Sequence, residues 1–198
     1  MTNDQELVAA KLRRWKNYLL KFELPTWDNI PDIGLYMEQV IVLLKQYLDY
    51  LPPDLKEAQF ITPATINNYV RMKVIPEPVK KRYYRIHIAY LIMVLTMKEG
   101  IEISLIRKLI PSDLEEDAMR IVYEDYATLH RKICKYFVEL LSDVAAPILK
   151  HDEVGELTVD KADSLVSFSA VLSGFSHLLS EKLLLLEPGK ENSTASED

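Results

Sequence analysis

Apolar residues return every three or four positions along most of this chain, and strict polar/apolar alternation is almost absent. That period belongs to amphipathic helices rather than to strands. A first helix is predicted over residues 4–23, with Asn3 as its cap and Leu7, Leu12, Trp15, Leu19 and Phe22 near one face. Leu24-Pro25 ends it, and a turn-rich stretch through Asp32 follows. A second helix is predicted over 33–51, facing inward with Val40, Leu43, Leu44, Tyr47 and Leu51, and Pro52-Pro53 stops it. Residues 54–60 read as a loop or a short helical turn.

Thr62-Pro63 opens the next element, since threonine suits the N-cap and proline the first helical position. This helix can run through Met72. Pro76 and Pro78 then exclude helix and favour an extended ribbon that leads into KKRYYR, residues 80–85. Helical patterning resumes over 87–98, ends at Gly100, and returns briefly over 104–110 before Pro111. Ser112 to Glu115 has the form of a capping box opening a long helix. Leu114, Ala118, Val122, Tyr126, Leu129, Ile133, Phe137, Leu140 and Val144 give it one continuous apolar face. Pro147 and Gly155 bracket a loop. A last helix is predicted over 159–186, and the tail from Glu187 is expected to be disordered. No internal repeat is visible.

Composition agrees with a mainly helical reading: of 198 residues, 48% are hydrophobic, 27% are charged and only 5 are glycine. A single cysteine, Cys134, excludes an internal disulfide and any all-cysteine metal site, and its place near the apolar face of a helix predicts a buried structural thiol. His87, His130, His151 and His177 are scattered with no metal-ligand spacing, and His151-Asp152-Glu153 reads as a solvated loop. No phosphate loop, dinucleotide-binding glycine fingerprint or nucleophile elbow occurs. The expectation is a protein with no catalytic residues, no metal and no cofactor. The charged N-terminus lacks a signal peptide, which predicts a cytoplasmic location. Residues 164–180 hold no formal charge, but they include six serines, a glycine and a histidine. The run is too short and too polar for a membrane span, and it predicts a helix buried on most of its surface. Ser169, Ala170, Ser173 and Gly174 would let another helix approach closely.

Charge changes the picture more. The net charge of −6 argues against nucleic-acid binding, yet it is distributed unevenly. Residues 61–110 carry nine Lys/Arg against three Asp/Glu, whereas 111–198 carry eight against eighteen. A basic segment in an acidic chain is the footprint of a small DNA-reading module on an acidic body. Within it, Thr62, Thr65, Asn67 and Asn68 can bond to phosphates or base edges from a capped helix, and Arg71 and Lys73 extend the positive surface. Lys80, Lys81, Arg82 and Arg85 can lie along a phosphate backbone. The plain alternative for these residues is a solvated helix face and a charged turn.

The string from Ile61 to Tyr84, ITPATINNYVRMKVIPEPVKKRYY, resembles the winged helix-turn-helix of MerR-type regulators. Thr62, Thr65, Ile66, Tyr69, Val74, Ile75, Pro76 and Pro78 fall into that family's helix-and-stop pattern. Arg82 and Tyr84 match its wing, and Gly100, Ile101, Ile103, Ile106, Arg107, Lys108, Leu109 and Ile110 match the phrase that follows. Asn67 and Asn68 stand where the family has arginine and tyrosine, Lys73 stands for its glycine, and Pro52-Pro53 interrupts the usual first helix. With the flank from Trp27 to Leu48, the chain also resembles, over roughly residues 27–144, the YkrK-type bacterial family of unknown function. The likeness implies a mainly α fold: a MerR-like winged helix with a small β wing, flanked by an N-terminal helical segment and a long C-terminal helical hairpin. It divides the chain into 1–60, 61–110, 111–187 and a tail, 188–198. It implies a sequence-specific transcriptional regulator that binds double-stranded DNA and forms a homodimer through the C-terminal helices. A small-molecule effector has room among those helices, although no residue pattern identifies one. The competing expectation is a non-enzymatic protein-interaction module that keeps the winged helix without binding DNA.

Overall fold

The structure is a computed structural model and describes residues 5–50, 61–98, 100–150, 157–161, 165, 172–173 and 176–177. Its elements are α1 (Gln5–Leu19), a 3-10 turn (Trp27–Asn29), α2 (Met37–Tyr47), α3 (Pro63–Arg71), α4 (Arg85–Met97), α5 (Ile103–Leu109), α6 (Glu116–Val144) and the short α7 (Ala146–Leu149). The mainly helical expectation holds.

The core is organised around α4. Every residue from His87 to Leu95 is buried, so this helix is covered on all sides rather than along one stripe. Its sequence, RIHIAYLIMVLTM, is apolar nearly throughout, and each large side chain it buries contributes about 1.5–3 kcal/mol. The main cluster gathers Trp27, Ile30, Val40, Leu44, Ile66, Tyr69, Ile106, Met119 and Tyr123 around it. A second cluster sits at the far end of α6, where Ala9 of α1 meets Leu141, Val144, Ile148, Leu149 and Leu165. Arg13 of α1 donates to the Leu149 carbonyl at 3.1 Å across this joint.

Several expected boundaries shift, each for a local reason. α2 starts at Met37 rather than at 33, because Leu35 is drawn into an antiparallel bridge with Tyr83 and Gln39 Oε1 accepts the Tyr36 N–H at 2.9 Å. α6 begins at Glu116 with Glu115 as its N-cap, so Ser112 does not cap it. The buried Tyr90 hydroxyl donates to the Pro111 carbonyl at 2.7 Å and accepts the Leu114 N–H at 3.3 Å, which holds the preceding residues in a turn. The buried stripe of α6 is Met119, Tyr123, Val138, Leu141 and Val144. Of the face expected from the sequence, Ala118, Leu129 and Ile133 are exposed and Val122, Tyr126, Phe137 and Leu140 are half-buried. Cys134 is half-buried against the main core, and burial pushes its thiol pKa up, as suits an unreactive structural thiol.

The expected β wing is reduced. Among the described residues no strand forms, and the ribbon consists of two isolated antiparallel bridges, Val79 to Arg82 and Leu35 to Tyr83. The next hydrogen-bonded rung would pair Glu77 with Tyr84, but the His87 ring takes both groups, accepting the Tyr84 N–H and donating to the Glu77 carbonyl. Val159 is not helical; its N–H bonds to the Val144 carbonyl at 2.9 Å, so no helix starts there. Leu165 and residues 172–173 and 176–177 are helical, while most of the predicted last helix, the uncharged run within it, residues 54–60, His151-Asp152-Glu153 and the tail lie outside the described residues. Among the described residues no helix is long and apolar enough to cross a membrane.

Candidate nucleic-acid interface

The basic segment contributes three pieces: α3, the turn that ends it, and a second turn at residues 79–82. The Thr62 hydroxyl accepts the Thr65 N–H at 3.1 Å and lies 3.0 Å from the Thr65 hydroxyl, so both threonines serve the helix start. Ile66 and Tyr69 point into the core. The opposite face carries Ala64, Asn67 and Arg71, all exposed, with Thr65 and Asn68 half-buried, and lines an open hollow. Asn68 Oδ1 accepts from Arg71 Nη2 at 2.6 Å, and Asn68 Nδ2 sits 3.3 Å from the Met72 sulfur. Among the described residues Asn67 makes no side-chain hydrogen bond, and its side chain is exposed.

A Schellman motif ends α3. The Lys73 N–H bonds to the Val70 carbonyl and the Val74 N–H to the Tyr69 carbonyl, each at 2.9 Å, while Val74 and Tyr69 are both buried. The motif requires a left-handed residue at its corner. Lys73 fills that place with φ 54°, a conformation that ordinarily favours glycine.

Two-residue turns between paired strands favour the form with both central residues left-handed. Lys80 and Lys81 adopt it, at φ 51° and 64°, closed by reciprocal backbone bonds of 3.0 Å between Val79 and Arg82. Both lysines are exposed at the tip. His87, only 3% exposed, holds the base of this turn. Its Nδ1 accepts the Tyr84 N–H at 3.1 Å, so the ring hydrogen lies on Nε2 and is donated to the Glu77 carbonyl at 3.0 Å. The two chain arms beside the turn are thereby joined through one neutral imidazole. Burial holds its pKa below the usual value.

Arg82 and Arg85 are placed differently from the phosphate ribbon that the sequence suggests. Arg82 Nη1 donates to the Gly34 carbonyl at 3.0 Å, its Nη2 donates to the Tyr36 hydroxyl at 2.7 Å, and the guanidinium stacks 4.3 Å from the Tyr36 ring centre. Arg85 Nε donates to the Ile30 carbonyl at 2.9 Å, and its guanidinium lies 5.9 Å from the centre of the Trp27 ring. Both side chains are half-buried and tie the turn to residues 24–36. That strap is fastened to α6 as well, where the Tyr123 hydroxyl donates to the Pro25 carbonyl at 2.8 Å. The sequence reading missed Gly34 and Tyr36. A lone glycine in a chain with 5 of them was the available signal.

Of the site residues expected from the sequence, Asn67 and Arg71 on α3, Lys73 at its corner, and Lys80 and Lys81 at the tip are exposed. They offer hydrogen-bond donors and positive charge. Among the described residues no group of histidine, cysteine and carboxylate side chains is arranged to hold a metal.

Comparison with known proteins adds a family and no activity. No curated protein matches the chain, and no solved structure does. The likeness to MerR-type regulators rests on the sequence positions quoted above. The family DUF1836, a domain of unknown function, matches residues 25–127, and this span takes in the strap, α2 to α5 and the first part of α6 but neither α1 nor the second cluster. Spanning more than half of the 198 residues, this match makes the chain a member of the DUF1836 family.

Proposed function

We propose that the protein is a sequence-specific DNA-binding regulator of transcription, with α3 as the helix that enters the major groove and the turn at Lys80-Lys81 as a minimal wing on the phosphate backbone. The observation that carries the reading is the presentation of Asn67, Arg71, Lys73, Lys80 and Lys81 as exposed donors within a segment of local charge +6. Thr62 and Thr65 act by fixing the helix start, and Asn68 by orienting Arg71. Arg82 and Arg85 act as positioning residues that hold the turn in place.

A homodimer belongs to this reading. The ridge of Leu129, Ile133 and Tyr136 on α6 is 54%, 55% and 68% exposed, and burial of such a ridge against a second copy would remove apolar surface from water. Ile133→Glu is expected to shift sedimentation from dimer to monomer, and a wild-type monomer at all concentrations overturns the dimer.

The test of DNA binding is selection from randomised duplex DNA at two salt concentrations. Enrichment of a palindromic site, with a slope that falls by about 0.9 for each phosphate-contacting lysine removed, is the expected result. One observation favours the competing protein-interaction module: two of the basic side chains are engaged within the chain itself. Absence of retention even at low salt selects that alternative.

A further inference from the structure

A second hollow takes none of its lining from the basic segment. A hollow of about 340 Å³ opens between residues 23–27 and α6, within the size range of about 300–1,000 Å³ usual for small-molecule sites. Trp27 and Tyr123 line it, with Leu24, Pro25 and Ala127 beside them. Trp27 is only 2% exposed, yet among the described residues its indole N–H has no hydrogen-bond partner. Among the described residues no buried side-chain nitrogen or oxygen lacks a partner, so this N–H keeps a small contact with solvent, and Trp27 is one of the residues that line the hollow. A tryptophan N–H that is nearly buried ordinarily finds an acceptor.

The remaining polar groups define what would supply one. The Tyr123 hydroxyl is already donated to the Pro25 carbonyl. The charges on the rim are matched: Arg131 pairs with Glu23 at 2.7 Å, and Glu124 with Arg120 at 3.0 Å. Arg120 also reaches Asp28 at 3.5 Å, so a charged ligand would have to compete with pairs already formed. We propose that the hollow between Trp27 and α6 binds a small uncharged molecule with an apolar body and one carbonyl-type oxygen, which accepts the Trp27 N–H.

The chain contains two tryptophans, so the experiment carries its own control. Trp15, on α1 and packed edge-on against Phe137, is distant in sequence and does not line the hollow. The full-length protein is labelled with ¹⁵N, and its indole N–H resonances are followed during titration with cyclohexanone. The Trp27 resonance is expected to move downfield and to saturate while the Trp15 resonance stays in place. Sodium cyclohexanecarboxylate and cyclohexylammonium chloride at the same concentrations are expected to leave Trp27 unshifted. Thr128→Phe, a change at an exposed position on the rim, is expected to abolish the response. A linear shift without saturation, equal movement of both indoles, an undiminished response in T128F, or preferential binding of either ion overturns the proposal. None of these readouts involves DNA, so they stand apart from the test of the regulatory function.

Discussion

Arg82 crosses Gly34 so closely that a Cβ on the glycine would stand 2.7 Å from Arg82 Cδ and 3.1 Å from both Arg82 Cβ and the Tyr84 hydroxyl. The same arginine donates to the Gly34 carbonyl. Contacts under 3 Å force something to move, and here the obstructing atom is on a side chain held by two hydrogen bonds and a stacked ring. Gly34→Ala is therefore expected to destabilise the protein by about 1–3 kcal/mol, the usual range for overpacking. Arg82→Ala should cost less, about 0.5–1.5 kcal/mol, since water can reach the exposed Tyr36 hydroxyl and the main loss is the part-buried bond to the Gly34 carbonyl. Thermal denaturation checks both. Near-wild-type midpoints would show that the strap is not anchored through this pair.

The left-handed lysines lead to a prediction of opposite sign. Lys73 occupies φ 54° without the freedom of glycine, and an L-residue in that region costs roughly 1–2 kcal/mol. Lys73→Gly keeps the Schellman bonds and relieves the strain, so the melting midpoint should rise by an amount equivalent to about 1 kcal/mol, somewhat offset by the greater freedom of glycine in the unfolded chain. Lys73→Val, β-branched at the same corner, should lower it. If both variants melt like the wild type, the corner is not left-handed in solution. The turn at Lys80-Lys81 can be treated likewise. Asn-Gly suits its geometry better and removes two charges, so the double variant should gain stability and, if the regulatory reading holds, lose affinity for DNA.

Much of this detail was legible in the sequence where the determinants are local. Thr62-Pro63 marked the start of α3 to the residue, and Gly100 the end of the α4 region. Local pattern failed where a distant group decides. Ser112 to Glu115 has the letters of a capping box, but the Tyr90 hydroxyl, more than twenty residues upstream, bonds the chain on either side into a turn. The apolar arc of α6 is broad, and its packing partners on α4 and in the 3-10 turn select the side that holds Met119 and Tyr123, leaving Leu129 and Ile133 outside. Arg82 and Arg85 looked like part of a basic ribbon because their acceptors, Gly34 and Ile30, lie 48 and 55 residues away. Charge counted along a chain does not distinguish a free cation from one already engaged.

A buried histidine, His87, and a half-buried one, His130, give the stability a pH dependence with a definite sign. Burial lowers the pKa of both His87 and His130 from 6.5. Between that value and the lowered one, the unfolded chain holds a proton that the folded chain rejects. Stability is therefore complete above about pH 6.5 and declines as the pH falls through this window. His87 should contribute beyond its desolvation, because a protonated Nδ1 can no longer accept the Tyr84 N–H. His87→Gln retains an acceptor for that N–H and does not titrate, so its denaturation midpoint should vary less between pH 7 and 5 than that of the wild type. An identical pH profile for the two proteins would remove His87 as a source of the effect.

At Tyr90 one hydroxyl does two jobs. It lies in the most buried part of α4, donates to the Pro111 carbonyl and accepts the Leu114 N–H, and so joins the central helix to the turn before α6. Tyr90→Phe preserves the ring and its packing and removes only the oxygen. The Leu114 N–H then loses its acceptor and the Pro111 carbonyl its donor, and a buried polar group left unsatisfied costs about 1–3 kcal/mol. The chain before α6 would also be free to adopt the alternative that its sequence encodes, with Ser112 capping a helix begun one turn earlier. Two measurements separate these effects. Denaturation should show a lower midpoint, and amide hydrogen exchange should show increased protection at Glu115 and Glu116 if the earlier cap forms. A lower midpoint with unprotected amides there means that the turn is fixed by the remaining packing, and an unchanged midpoint means that the Tyr90 bridge adds nothing to the fold.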